Sequence, residues 1–133
     1  MPVTPLRDTD LPRLERCLSL AEEALAAGDQ PFGSVLVDAD GKEVYAERNR
    51  IANGDDTQHP ELNLARWAAH HMAPAERARA TVYTSSEHCP MCAAAHGWVG
   101  LGRIVYASSS EQLHGWLRGF GLAAGRVAPL SIE

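Results

Sequence analysis

The stretches His59-Pro60-Glu61 and Cys89-Pro90-Met91-Cys92 decide the fold of this chain, because each combines metal-binding side chains with a proline. Proline is well tolerated in the first turn of a helix, where its missing N–H would have no intrahelical partner. Each stretch therefore predicts the start of a helix that follows a strand or a loop. At these starts, His59 and Cys89 would point off the helix ends and could converge on one point.

The polar side chains of these stretches suit a catalytic zinc site. Such a site uses three protein ligands and leaves the fourth position open to a water, whose pKa the metal lowers. We expect His59, Cys89 and Cys92 to bind one Zn²⁺. Glu61 lies two residues after the histidine and can reach the bound water as a base. Two alternatives remain: a closed structural zinc site with His88 as the fourth ligand, or a thioredoxin-like redox pair of cysteines.

Apolar periodicity and turn residues predict the remaining helices and strands. The predicted helices begin at Asp8 or Asp10, His59, Cys89 and Ser110, and they end near Gly28, Met72, Gly100 or Gly102, and Arg118. The predicted strands are 34–37, 43–48, 81–86 and 104–107, with a final strand or arm after the glycine-rich segment 119–125. The turn 38–41 joins the first two strands into a hairpin.

This element order predicts an α/β protein, a three-layer αβα sandwich with a mixed sheet of four or five strands, in a single domain of residues 1–133. Strands joined through a helix are expected to be parallel, so only the first hairpin would be antiparallel. In such sheets, ligands bind where the carboxyl ends of strands meet helix N-termini. Both metal-binding stretches occupy that position.

The composition indicates a folded protein with a modest negative charge. It has 133 residues, of which 45% are hydrophobic, and a formal net charge of −5. Because it lacks a basic block, a nucleic-acid partner is not expected and a small neutral or cationic substrate is favoured. It shows neither a signal-peptide pattern nor an apolar run of membrane-spanning length, so no membrane partner is expected. Three cysteines, two of them in a C-x-x-C, favour a reducing compartment, for which we expect the cytoplasm.

The pattern H-x-E followed by C-x-x-C is the signature of zinc deaminases, and the chain resembles the cytidine deaminase superfamily. It is more similar to the branch that contains guanine deaminases, yeast-type cytosine deaminases and tRNA adenosine deaminases. The resemblance covers roughly residues 10–110. Further matching positions are the segments 31–37, 87–92 and 104–107, together with Asn49 and Trp98.

The resemblance implies a cytidine deaminase-like fold, zinc as the cofactor and a homodimer or larger assembly. It also implies that the zinc ligands are His59, Cys89 and Cys92. Glu61 is implied as the proton shuttle, and Asn49 as an amide contact to the substrate. The implied reaction is hydrolytic deamination, in which an exocyclic ring amine leaves as ammonia.

Two residues depart from the pattern of that branch. Pro60 stands where alanine is usual, a change that a helix start tolerates. His88 replaces a proline directly before Cys89. We expect His88 either to alter the choice of substrate at the mouth of the site or to be a solvated loop residue without a role.

A small free base is the favoured substrate: guanine, cytosine, or an analogue such as isoguanine or azacytosine. Phe32 and Trp98 could stack on its ring, and Glu111 lies near the position of an extra acidic residue in guanine deaminases. Deamination of a nucleoside or of adenosine in tRNA is the alternative. A non-catalytic zinc scaffold is less favoured, because a scaffold has no need for Glu61.

Overall fold

The computed structural model describes residues 5–121, in which helices cover both faces of one four-stranded sheet. Its strands are β1 (Gly33–Val37), β2 (Glu43–Arg48), β3 (Thr81–Ser86) and β4 (Ile104–Ser108). Its helices are α1 (Asp10–Ala26), α2 (Pro60–His71), α3 (Pro74–Arg79), α4 (Pro90–Val99) and α5 (Ser110–Gly119), with a 3₁₀ turn at Ile51–Asn53. Within the described range, no helix is both long and apolar enough to cross a membrane. The final strand or arm predicted after residue 125 lies outside this range.

The strand order is β2-β1-β3-β4. Strand β1 is antiparallel to both of its neighbours, β2 and β3, whereas β3 and β4 are parallel. The prediction that antiparallel pairing is confined to the hairpin is therefore wrong, because β1 is inserted between β2 and β3. The strands joined through helices nevertheless run in the same direction, as predicted. The three-layer α/β sandwich with a mixed sheet is confirmed.

Two hydrophobic cores lie on opposite faces of the sheet, and alternate residues of β1 separate them. Val35 and Val37 join the core under α1, whereas Leu36 joins the core under α2. The first core consists of Leu14, Cys17, Leu20, Val35, Val37, Tyr83 and Val105. The second consists of Leu36, Leu64, Ala65, Ala68, Ala80, Val82 and Leu101. Cys17 is fully buried, and burial raises the pKa of its thiol to about 12, which suits a structural side chain.

Proline starts both helices that carry the metal-binding stretches. Helix α2 begins at Pro60 after His59, and α4 begins at Pro90 after Cys89. Both preceding residues have extended backbone conformations, so each acts as the N-cap of its helix. The two helices pack against each other on one face of the sheet. Both predicted helix starts are confirmed.

The short helix α3 was not predicted from the sequence. Pro74 was interpreted only as the end of the preceding helix, but it also occupies the first turn of α3. The Glu76 carboxylate accepts a hydrogen bond of 3.0 Å from the backbone N–H of Ala73 and stabilises the new helix start. One proline therefore separates two helices.

Asp10 is not the N-cap of α1. Its side chain instead binds residues of the sheet and its edge. The N-cap is Thr9, whereas the fully buried Asp10 carboxylate accepts hydrogen bonds from Tyr83 Oη at 2.7 Å and from both terminal nitrogens of Arg103. A backbone N–H from Arg7 adds a fourth contact at 2.7 Å. Chiefly because of the Arg103 hydrogen bonds, the pKa of Asp10 is lowered to about 2. The Tyr83 hydrogen bond connects α1 with β3, and the ion pair connects α1 with Arg103, the residue before β4.

The substitution Asp10→Asn should destabilise the fold at neutral pH by about 2 kcal/mol, which corresponds to the lowered pKa of this carboxyl. A depressed carboxyl pKa stabilises the native state above the unfolded-state pKa of about 4, and the benefit is lost as the pH falls towards 2. The difference from wild type should therefore shrink between pH 4 and pH 2. Urea unfolding at a series of pH values measures it.

The exposed Asp8 supplies the matched control, since Asp8→Asn changes the same charge two residues away. It should leave the free energy of unfolding within about 0.5 kcal/mol of wild type. An equal loss in both variants, or a difference for Asp10→Asn that does not change with pH, would contradict the buried ion pair.

Candidate metal centre and adjacent cavity

Three ligand atoms meet where α2 and α4 begin. His59 Nδ1 lies 3.5 Å from Cys89 Sγ and 3.6 Å from Cys92 Sγ, and all three atoms lie within 4.8 Å of one another. A tetrahedral zinc with Zn–S bonds of about 2.3 Å and a Zn–N bond of about 2.0 Å requires N···S separations of about 3.5 Å. The arrangement and the chemistry of the donors therefore fit one Zn²⁺ per chain.

The two thiols are electrostatically different. Hydrogen bonds from Cys92 and His59 lower the pKa of Cys89 to about 4, although partial burial opposes this. The same contact with Cys89, together with burial, raises the pKa of Cys92. A divalent cation that binds both sulfurs requires both as thiolates, so its binding releases thiol protons.

Glu61 lies in the first turn of α2, beside the three ligands, and its side chain is nearly inaccessible at 6% exposure. Its Oε1 atom is 2.8 Å from the hydroxyl of Thr84 and 3.2 Å from the hydroxyl of Ser34. Burial raises the pKa of this carboxyl, and the Thr84 hydrogen bond opposes the rise. A carboxyl that binds a proton more readily than in water is suited to proton transfer near neutral pH.

A small cavity of about 80 Å³ lies against this centre. Its lining combines metal ligands, polar groups and apolar walls: Phe32, Asn49, His59, Pro60, Glu61, Ser86, Glu87, Cys89 and Leu113. Cys92 is fully buried and does not line it. A larger cavity of about 440 Å³ lies between the hairpin turn and α3, and none of the predicted site residues line it. Those predicted site residues that line a cavity therefore line the smaller one.

Asn49 is held in one orientation beside the cavity. Its Oδ1 accepts a hydrogen bond of 3.1 Å from the backbone N–H of Ile51, and its own backbone N–H donates to the carbonyl of Phe32 at 3.0 Å. Because Oδ1 is engaged, the side-chain NH₂ is the group left to donate into the cavity. Phe32 lies next to it as an apolar wall.

Three of the residues considered as substrate contacts lie away from the cavity. Trp98 is 91% exposed on α4, and Glu111 is exposed in the first turn of α5. His88 is only 1% exposed and packs edge-on against His96, with a centroid separation of 5.6 Å. The expectation that His88 is a solvated loop residue is wrong. His88 is also not part of the cluster of ligand atoms, which disfavours the closed zinc site.

Several groups near the cavity are not predicted from the sequence. Ser34 of the mainly apolar β1 and Thr84 of the Ser- and Thr-rich β3 are predicted only as strand residues, although a polar side chain in an apolar strand such as β1 is itself a signal. Glu87 belongs to the segment that carried the resemblance, but its contact was not foreseen: Oε1 accepts the backbone N–H of Ser110 at 2.9 Å. Leu113 lines the cavity only because α5 packs beside it, which no local pattern reveals.

A protein-family model and several sequence relatives match this chain. The family model described as "Cytidine and deoxycytidylate deaminase zinc-binding region" matches residues 8–108. A probable cytosine deaminase of Schizosaccharomyces pombe is 33% identical over 113 residues, which are 85% of this chain and 68% of that protein. Guanine deaminase of Bacillus subtilis is 34% identical over 97 residues, which are 71% of this chain and 62% of that protein. A tRNA-specific adenosine deaminase of Haemophilus influenzae is 33% identical over 97 residues, which are 71% of this chain and 56% of that protein.

Solved structures agree with the sequence relatives. The X-ray structure of the Bacillus subtilis guanine deaminase matches with a TM-score of 0.70 and 29% identity, over 84% of this chain and 70% of that one. A structure from studies of tRNA:A34 deaminases matches with a TM-score of 0.67 and 27% identity, over 90% of this chain and 94% of that one. The chain spans only 56% to 68% of the length of the three sequence relatives. With its fold, its ligand cluster and these matches, the chain belongs to the cytidine and deoxycytidylate deaminase family that shares this zinc-binding region.

Proposed function

We propose that this protein is a zinc-dependent hydrolase that converts the exocyclic amine of a free nucleobase, or of a related amino-heterocycle, into a carbonyl and releases ammonia. One observation carries the proposal: a buried carboxylate, Glu61, stands beside a three-ligand metal centre that borders a small cavity. His59, Cys89 and Cys92 would hold the zinc. Guanine, cytosine, isoguanine and azacytosine are the substrates of this type.

Zinc supplies an open coordination position that lowers the pKa of a water molecule. Glu61 would take one proton of the attacking water, whose oxygen adds to the ring carbon that bears the amine, and would give that proton to the neighbouring ring nitrogen. The same carboxyl would then take the remaining proton of the added hydroxyl and give it to the departing amine. The carbon–nitrogen bond breaks, ammonia leaves, and the oxygen remains as the carbonyl of the product.

The lining of the cavity supports a small, flat and neutral substrate. Phe32 and Leu113 offer apolar surface to a ring, and the Asn49 amide donates a hydrogen bond to a ring carbonyl or nitrogen. The cavity volume of about 80 Å³ favours a base over a nucleotide. Trp98, His88 and Glu111 would influence the substrate only indirectly, since they lie outside this lining.

Deamination of a nucleoside, or of adenosine within tRNA, is the second candidate. The 33% identity to a tRNA-specific adenosine deaminase favours it. The formal net charge of −5 opposes it, because affinity for nucleic acid depends strongly on Lys and Arg contacts with phosphates. A non-catalytic zinc scaffold would not explain why a carboxylate is buried beside the ligands, and burial of such a group is costly.

Residues 1–133 would form one catalytic domain that works in the cytoplasm, where its thiols stay reduced.

We further propose that two copies associate through α4. This helix contains no Asp, Glu, Lys or Arg, and its outer side exposes Ala94, Gly97 and Trp98. A helix that is apolar on all sides is normally buried. Two such faces can pack around a two-fold axis without burying a charge.

Zinc-loaded protein should release ammonia from at least one free base of the panel guanine, cytosine, isoguanine and azacytosine. Because the cavity favours a base without its ribose, kcat/KM for that base should exceed that for its nucleoside by at least about 10-fold, a difference of about 1.4 kcal/mol. A coupled ammonia assay measures both, with unmodified tRNA as a further substrate. Turnover of tRNA alone would favour the second candidate, and no ammonia from any compound would remove the enzymatic proposal.

The substitution Glu61→Ala tests whether this carboxylate transfers protons in the reaction. It should lower kcat by about 10²- to 10⁴-fold, the usual contribution of a general acid–base group, while zinc stays at one per chain by elemental analysis. The exposed Glu23 of α1 is the control, since Glu23→Ala removes an equal charge far from the cavity. Loss of zinc in Glu61→Ala would instead assign the carboxylate a structural or ligand role.

The substitution Trp98→Glu should convert a dimer into a monomer, because it places a charge on the uncharged outer face of α4. Sedimentation velocity at several concentrations measures the change. Trp116→Glu is the control, since Trp116 is 54% exposed on α5 and should leave the dimer intact. A monomeric wild type, or an unchanged dimer in Trp98→Glu, would contradict the α4 interface.

A further inference from the structure

Two buried hydroxyl groups lie side by side beneath Glu61. Ser34 of β1 and Thr84 of β3 are direct partners in the antiparallel pairing of these strands, and neither side chain is exposed. Both side chains are buried away from water, where an unpaired hydroxyl is costly. Their hydrogen-bond partners are each other and the Glu61 carboxylate, with the carbonyl of Gly33 as a more distant acceptor for Thr84.

The direction of these hydrogen bonds follows from the number of hydrogens. Each hydroxyl has one hydrogen to donate. Thr84 lies 2.8 Å from Glu61 Oε1, and its other acceptor, the carbonyl of Gly33, is at 3.5 Å. Ser34 lies 2.8 Å from Thr84 Oγ1 and 3.2 Å from Glu61 Oε1. The shorter contacts form a chain in which Ser34 donates to Thr84 and Thr84 donates to Glu61.

Both hydroxyl contacts to the carboxylate fall on the same atom, Oε1. Oε1 thus accepts hydrogen bonds from the strand hydroxyls with its lone pairs. The two oxygens of Glu61 are therefore not equivalent.

We propose that Ser34 and Thr84 are positioning residues that hold Oε1 of Glu61 as a hydrogen-bond acceptor and so fix the orientation of the carboxyl group. This inference rests on the proposed deaminase function. The hydroxyls lie on paired strands rather than on loops, so they restrict rotation of the carboxyl group throughout the reaction. Such pre-organisation increases the rate of proton transfer without adding a contact to the substrate.

The substitution Thr84→Val tests the chain directly, because it keeps the shape of the side chain and removes its hydroxyl. It should lower kcat by about 10- to 100-fold, the cost of losing a hydrogen bond to a charged group, with KM within about twofold of wild type. Thr84→Ser restores the hydroxyl and should return kcat to within about threefold of wild type. Zinc content should stay at one per chain in both variants.

Ser34→Ala should have a smaller effect on kcat than Thr84→Val, since it acts through Thr84. The double variant Ser34→Ala/Thr84→Val should be no slower than Thr84→Val alone, because both substitutions interrupt the same chain. Additive losses, equal losses in Thr84→Val and Thr84→Ser, or wild-type kcat in Thr84→Val would each overturn the proposal. So would an effect confined to KM.

An infrared measurement separates this inference from the proposed function. With isotope-labelled glutamate, the carboxyl band of Glu61 is assigned as the band that Glu61→Gln removes. Thr84→Val should shift this band and Thr84→Ser should leave it near the wild-type frequency. An unshifted band would overturn the proposed hydrogen bonds from Ser34 through Thr84 to Glu61 even in an active enzyme. A shifted band in a protein that releases no ammonia would support these hydrogen bonds and remove only the deaminase function.

Discussion

The packing of α2 against α4, with both N-termini at the same edge of the sheet, is the constraint on which the site depends. His59 occupies the N-cap position of one helix and Cys89 that of the other, so one contact between helices brings an imidazole within 3.5 Å of a thiol. Cys92 follows one turn into α4 and completes the ligand set. No long loop has to be ordered to build this centre, because regular helices fix all three donors.

The sheet contributes the second half of the site. Because β1 lies between β2 and β3, its residue Ser34 is placed opposite Thr84, directly under Glu61. The same strand separates the two hydrophobic cores by alternation of its side chains. A single strand therefore stabilises both faces of the sandwich and supports the buried Glu61 carboxylate.

The parts of the fold that could be predicted are those that depend on local sequence patterns. Proline at a helix start and the spacing of ligand residues predicted where α2 and α4 begin and which side chains could converge. The position of β1 between two other strands could not be predicted, because it follows from long-range pairing. The Asp10–Arg103 ion pair could not be predicted either, because it joins residues far apart in the chain. An aspartate at this position is also typical of a helix N-cap, which is the role that the sequence indicated.

The substrate contacts were the least predictable part of the site for the same reason. Phe32 and Asn49 line the cavity, but Trp98 faces away from it on the outer side of α4. An aromatic residue near a motif in sequence carries no information about the side of the helix on which it lies relative to a cavity. His88 adjoins a ligand in the chain and yet packs into the interior against His96.

X-ray absorption spectroscopy at the zinc edge tests the central claim most directly, because it counts the atoms bound to the metal. Two sulfur ligands at about 2.3 Å, with a histidine nitrogen and one further light atom at about 2.0 Å, are the predicted result. The light-atom contribution should change when a heterocyclic inhibitor is added, since the fourth position is open. A closed set of protein ligands, with a second histidine and no response to the inhibitor, would contradict the account.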